Sequence, residues 1–289
     1  MAKLFFNAQS VRHILLDVRV RQSVFFLSTE KIKTLKIFCI DIGNTRTHCA
    51  LIDAQADSFC VVSSQDYMSC EFSEIFEKAD LFRKSGADAI SWCSVVPKYS
   101  DALIPKLAEF DNMQLTCENS PIALDVKNPS QVGQDRIADA VGAGLFFKPP
   151  YIVVDMGTAV TIDLVDENGA YCGGAIAPGM HAFTDYLNER AAQLPKINPA
   201  DADYDMSVGK DTVSAMHVGC VKGFCKLADG IIADIEHDYF KGESATQKTI
   251  FTGGSIALLP KKWLADRKIE SNLANIGLAR ALLINKGVL

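Results

Sequence analysis

Ile37-Phe38-Cys39-Ile40-Asp41-Ile42-Gly43-Asn44-Thr45 and Tyr151-Ile152-Val153-Val154-Asp155-Met156-Gly157-Thr158-Ala159 carry one pattern twice. In each, an apolar run of strand character ends in an acid, and a Gly and hydroxyl or amide residues follow. A second strand-like stretch comes next, at 47–52 and 159–165. A repeated strand–Asp-x-Gly-x-x–strand unit predicts two related halves, each presenting a turn to a shared cleft. Glycine at the turn lets backbone approach a bulky anion. A strand-end aspartate can hold a metal ion, through water when that ion is magnesium. The pattern therefore points to nucleotide-phosphate chemistry.

Working outward from the first copy, strands are expected at 36–40, 47–52 and 58–63. A helix is expected at 73–85, because Phe72, Ile75, Phe76, Ala79 and Phe82 recur at helical spacing, with Ser73 as its cap and Gly86 as its stop. Strand 89–96, helix 99–110 and strand 113–117 follow, and a loop at Asn128-Pro129 leads into a helix over 134–147. Lys148-Pro149-Pro150 breaks that helix and is the expected domain boundary. Beyond it come strands at 151–155, 159–165 and 171–177, with Glu167-Asn168-Gly169 as a hairpin turn. Helices at 180–192, 211–237 and 275–283 and a strand at 249–251 complete the chain, with 194–205 as loop. Hairpins followed by alternating helices and strands, in two copies, imply an α/β fold with mixed sheets.

Composition agrees with a soluble enzyme and excludes some alternatives. The chain has 289 residues, 48% hydrophobic and 22% charged, and no apolar run long enough to suggest a membrane span. Its net charge of −6 gives no support for nucleic-acid binding. The first 36 residues hold seven basic and two acidic side chains, so residues 37–289 carry −11. Residues 1–35 read as an extension of unknown role, either dispensable or an amphipathic element docked on the body. Nine cysteines without a Cys-x-x-Cys read as small buried hydrophobes in a reducing cytoplasm. Five scattered histidines show no zinc-ligand spacing.

Four further motifs bear on the chemistry. Backbone N–H groups from Gly43 to Thr45 suit an anion nest, with Asn44 and Thr45 adding donors. After the second turn, Thr161 and Asp163 share a strand face. Gly133-Gln134-Asp135-Arg136 opens a helix with Ile137, Val141 and Leu145 on its apolar side. Asp135 is there either a helix-end acid, an ion-pair partner of Arg136, or a base beside an anion-binding cation. Gly173-Gly174-Ala175-Ile176-Ala177-Pro178-Gly179 and Thr252-Gly253-Gly254-Ser255 are strand–glycine–helix corners, the latter suited to the flat face of a nucleoside.

In combination these blocks resemble the type III pantothenate kinases, members of the acetate kinase, sugar kinase, Hsp70 and actin superfamily. The resemblance runs from about Lys36 to the C-terminus and includes Leu194-Pro195, Gly209-Lys210-Asp211-Thr212 and Ala215-Met216 in order. It implies two duplicated ribonuclease H-like (actin-like ATPase) domains, 36–148 and 149–289, with a cleft between them. The implied activity is ATP-dependent phosphorylation of pantothenate, the first step of coenzyme A synthesis, by a cytoplasmic homodimer that binds neither nucleic acid nor membrane. By position the resemblance implies that Asp41, Ile42, Gly43, Asn44, Thr45, Arg46, Thr47 and His48 form the main phosphate turn, with Asp41 on magnesium through water. Asp135 is implied as the catalytic base, and Gly133, Gln134, Asp135, Arg136 and Thr212 as substrate contacts. Asp155 is implied to bind a monovalent cation (potassium or ammonium), Thr158 to contact ATP, and Thr252, Gly253 and Gly254 to lie near adenosine. The chain departs from the family pattern at Val160, at Val126-Lys127 where a Tyr is common, and at Val218-Gly219.

Two other readings compete with this one: a phosphohydrolase on the same scaffold, and a non-catalytic regulator that keeps the fold. The first needs a positioned water and an added acid. The second is opposed by the intact Asp41, Asp135 and Asp155.

Overall fold

The computed structural model describes residues 34–289 except Ala56, Asp57 and Glu243, and residues 35–289 form one unit. The extension expected over 1–35 thus lies, up to residue 33, outside the described residues. In the first sheet, β1 (Leu35–Ile42) pairs antiparallel with β2 (Arg46–Gln55), and β2 with the edge strand β3 (Ser58–Met68). On its other side β1 runs parallel to β4 (Ala89–Ser94), and β4 to β5 (Asn112–Gln114).

The second sheet repeats this arrangement. Strand β6 (Tyr151–Met156) pairs antiparallel with β7 (Ala159–Val165), which pairs with β8 (Tyr171–Pro178). Parallel to β6 runs β9 (Thr249–Thr252), then the short β10 (Lys268–Ile269). The orders β3-β2-β1-β4-β5 and β8-β7-β6-β9-β10 are the same, so the duplication legible in the sequence is a duplication of topology. Asp41 and Asp155 hold equivalent places, each one residue from the end of the central strand. In open α/β sheets that strand end, where connections diverge, is where ligands sit.

Alternation along β1 sends side chains to two cores. Ile37 and Cys39 join one face; Phe38, Ile40 and Ile42 pack on the other against Phe72 and Phe76 of α1 (Ser69–Lys78) and Leu103 and Leu107 of α3 (Pro97–Leu107). Between α1 and α3 lies the short α2 (Leu81–Ser85). The helix expected at 73–85 is thus two helices, broken at Asp80, whose φ is +50°. It starts four residues earlier, so Ser73 lies inside it and caps nothing, while Gly86 ends α2 with φ +68° as expected.

Helix α4 (Gln134–Ala143) is wedged between the two sheets. Its Ile137, Ala138 and Val141 pack on the first sheet's core; Ala140 and Ala143 join Tyr151, Val153 and Ile250 of the second. Every residue from Ile137 to Ala143 is buried, as expected of a helix covered on all sides. It ends at Ala143, short of the expected 147.

Further along come α5 (Met180–Arg190), α6 (Thr212–Met216), a π-helical segment (His217–Lys222), α7 (Gly223–Tyr239), α8 (Lys261–Leu264) and α9 (Leu273–Asn285). The stretch expected as one helix over 211–237 therefore contains a π segment. Helix α9 returns from the second half to cover β1, β2 and α4. Contact with α4 is close: a Cβ on Gly277 would lie 1.8 Å from the Ala138 carbonyl oxygen, and one on Gly142 would lie 2.4 Å from that of Leu273. Among the described residues, no helix is long and apolar enough to cross a membrane. All nine cysteines are free; Cys39, Cys49, Cys93, Cys220 and Cys225 are buried, whereas Cys60 and Cys70 are exposed.

Candidate functional site

The first turn is held from behind. Gly43 N–H donates to the Arg46 carbonyl at 3.0 Å, and Ser69 N–H at the start of α1 donates to the Thr45 carbonyl at 3.1 Å. The Ser69 hydroxyl donates to the Gly43 carbonyl at 2.8 Å and lies 3.0 Å from the Thr47 hydroxyl. Thr47 and Ile42 are consequently buried, leaving them backbone roles, while Asn44, Thr45 and Arg46 are exposed at the tip. Arg46 reaches Asp66 at 3.5 Å. His48 is engaged at both nitrogens: Nδ1 lies 2.5 Å from Asp66 Oδ1 and Nε2 lies 3.0 Å from Asn272 Oδ1.

The second turn, one residue shorter, is closed by a bond from its own glycine, Gly157 N–H to the Ala159 carbonyl at 3.0 Å. Two more glycine corners pack onto it. Gly179 N–H donates to the Thr158 carbonyl at 3.0 Å, and the Ser255 hydroxyl donates to the Gly157 carbonyl at 3.2 Å. Gly253, at φ +97°, comes so close that a Cβ there would lie 2.3 Å from Asp155 Oδ1. Position 253 therefore needs glycine on both conformational and steric grounds. Thr252 is buried beside Asp155 in the parallel register, while Thr158 is exposed.

Helix α4 brings the remaining acids. Asp135 lies in its first turn, with Oδ1 accepting the Arg136 N–H at 2.8 Å. One turn later, on the same face, Asp139 is 4% exposed and its Oδ1 has no hydrogen-bond partner. Asp41, Asp135, Asp139 and Asp155 feel one another's charge. Burial, then Asp135, pushes Asp41 up to about 6, against a hydrogen bond from the Cys93 thiol (3.3 Å). Burial followed by Asp135, Asp41 and Asp163 pushes Asp155 up to about 7. Burial raises Asp135 too, partly offset by the Arg136 N–H and guanidinium, and it raises Asp139 well above the carboxylate range. This is a nest of acids short of positive charge, the condition in which cations are taken up.

Beyond its effect on Asp135, the Arg136 charge is engaged elsewhere. Its Nε donates to Asp163 Oδ2 at 3.2 Å and its Nη2 to Asp163 Oδ1, forming a bidentate pair; Asp163 Oδ1 also accepts the Tyr171 hydroxyl at 2.7 Å. Beside this pair opens a cavity of about 240 Å³ lined by Lys127, Asn128, Gln131, Arg136, Tyr171 and Gly174 among others. A larger apolar groove of about 1090 Å³ lies between α5 and α6, with Tyr186, Leu187, Thr212, Met216 and Cys220 in its walls.

The fold thus gathers Asp41, Asp135 and Asp155, and brings Gly253 against Asp155. Thr212 lines the separate groove. One residue and one pairing escaped the sequence reading. Asp139 was signalled by its four-residue spacing from Asp135 on one helix. Asp163 was placed on the right face, but nothing in the sequence paired it with Arg136, 27 residues away.

Known proteins are similar to this chain over most of its length. The family model for type III pantothenate kinase matches residues 37–234. A protein of Akkermansia muciniphila named type III pantothenate kinase is 35% identical over 228 residues, 77% of this chain and 88% of that protein. One of the same name from Caulobacter vibrioides is 38% identical over 233 residues, 78% and 88% of the respective chains. Among solved structures, a Campylobacter jejuni protein provisionally named a Baf family transcriptional activator superposes with a TM-score of 0.59 at 20% identity, covering 86% of this chain and 99% of its own. That likeness speaks to the fold alone. With two topologically equal sheets, an acid at the end of each central strand, and a match spanning both, this chain belongs to the type III pantothenate kinase family.

Proposed function

We propose that the chain transfers the γ-phosphate of ATP to the primary hydroxyl of pantothenate, giving 4'-phosphopantothenate for coenzyme A synthesis. The observation that carries this reading is the placement of Asp135. The wedged helix α4 sets it where its charge is felt by both strand-end acids, and next in the chain to Arg136, which lines the cavity. A new bond forms between the hydroxyl oxygen and the γ-phosphorus as the bond to the β–γ bridging oxygen breaks. Asp135 takes the hydroxyl proton late and passes it to solvent. Its raised pKa makes it a better base than an exposed carboxylate. Phosphoryl transfer asks the protein mainly for positioning and charge neutralisation, which the two glycine turns and exposed Asn44, Thr45 and Thr158 suit.

The donor set fits the expected cations. Among the described residues no three His, Cys, Asp or Glu side chains stand together as a protein-only metal cage. Magnesium needs none, since it takes one or two carboxylates, waters and phosphate oxygens. Asp41 would hold it through water, and Asp155 would hold the monovalent cation. When bound, these ions supply the positive charge that neutralises the nucleotide's phosphates.

The lobes are taken as 36–148 and 149–289, with Thr252 to Gly254 on the nucleotide side. A homodimer is proposed as the working form, with the apolar groove holding Thr212 as the contact face. The deciding experiment is a coupled ADP-release assay with and without pantothenate, and with and without potassium. Release that depends on pantothenate is expected. Equal release without it would make the chain a phosphohydrolase.

A further inference from the structure

Asp41 has a register partner on each neighbouring strand of the first sheet, His48 on β2 and Cys93 on β4. Aligned residues of adjacent strands put their side chains on one face of a sheet, so both stand beside the carboxylate. His48 is occupied elsewhere, its two nitrogens meeting Asp66 and Asn272. The buried Cys93 thiol instead donates to Asp41 Oδ1 at 3.3 Å, the one side-chain hydrogen bond to that carboxylate among the described residues.

The duplicated half offers a comparison. There the parallel register sets Thr252 of β9 opposite Asp155, as Cys93 stands opposite Asp41. Thr252 is buried too, yet no hydrogen bond joins its side chain to Asp155 among the described residues. A donor on the strand-end acid is therefore particular to the first half. With Oδ1 held by Cys93, the half-buried Asp41 keeps one orientation and has Oδ2 left over. Groups that hold a metal's ligands set the direction of those ligands, and their loss weakens the metal. A thiol is a weak donor, and it holds the carboxylate without adding a charge to a nest of acids.

We propose that Cys93 is a positioning residue, fixing the Asp41 carboxylate for its part in holding magnesium through water. This rests on the assignment of Asp41 to magnesium given above. The test uses full-length Cys93→Ala and Cys93→Val, which lack the donor, and Cys93→Ser, which keeps one. ATP binding is measured by calorimetry in magnesium and in EDTA, and ADP release is followed as magnesium is varied. In the Ala and Val variants, half-saturating magnesium should rise about tenfold, the lower end of the range for losing a group that orients a metal ligand. Their ATP binding should weaken in magnesium and keep its original value in EDTA. KM for pantothenate at saturating magnesium should stay in place, and Cys93→Ser should restore the original magnesium requirement. An unchanged requirement in Ala and Val overturns the proposal. So does an equal shift in Ser, which would make the effect one of packing, or an equal loss of ATP affinity in EDTA. Failure of the magnesium assignment shows separately, as an Asp41→Asn variant that needs no more magnesium than the original.

Discussion

Asp135, Asp139 and Arg136 occupy less than two turns of one helix, yet they do unlike things. Asp135 accepts the Arg136 N–H in the first turn, Arg136 is locked to Asp163, and Asp139 is buried with an unpartnered oxygen. Replacing Asp135 by Asn keeps the shape and removes the base. Turnover should fall by about 10²–10⁴, the usual contribution of a general base, while ATP binding measured by calorimetry persists. Unchanged turnover would remove Asp135 from the mechanism. The acids also set a pH dependence. Asp41 and Asp155 titrate near 6 and 7 in the folded chain, above the value of about 4 in an unfolded one. Stability from their protonated forms is therefore whole below about pH 4 and is lost as pH rises through 6 and 7. In chelator and without nucleotide, the melting temperature should fall between about pH 5.5 and pH 8, and Asp155→Asn should flatten that fall. A melting temperature that rises across this window contradicts the picture. At this scale the sequence was informative where a motif lies on one element, as for Asp135, though Asp139 four residues on was passed over. It was silent on the Arg136–Asp163 pair, which needs a helix of one half laid against a strand of the other.

Among the elements, α4 and α9 define how tightly the site is built. Their contact depends on Gly142 and Gly277, each of which places its Cα against the opposing backbone. Gly277→Ala would drive a methyl into the Ala138 carbonyl. A loss of about 2 kcal/mol or more in urea unfolding is expected, in the upper part of the overpacking range because the obstacle is backbone. A loss under about 0.5 kcal/mol would show that the helices part easily. Gly253→Ala acts on the site itself, forcing the Thr252–Gly254 corner off Asp155. Weaker ATP binding with the fold retained by circular dichroism is the expected outcome. Apolar periodicity revealed the strands β1, β2, β6 and β7 because buried strands need continuous apolar runs. The break at Asp80, the π segment and the two-residue β10 were hidden. None of the three leaves a mark in apolar periodicity.

For the whole molecule, the repeat read from two short turns extends to ten strands in matching order. The halves have nonetheless diverged in what covers them. The first sheet is closed on one face by α4 and by α9, the last helix of the chain, so its core contains residues from both ends of the described sequence. Deleting residues 273–289 removes nine buried residues of α9 and bares β1, β2 and α4 together. Such a protein should fail to unfold cooperatively and should bind a hydrophobic dye; a cooperative transition would show that the first sheet stands without its cover. The hydrogen bond from the Ser91 hydroxyl to the Leu278 carbonyl spans 187 residues. During synthesis, β1, β2 and β4 are made before α9 and wait, one face unsealed, until α9 clears the ribosome. Chain termination anywhere before α9 thus leaves a sticky nascent sheet, and the site whose acids lie at its edge is assembled only once α9 has been made.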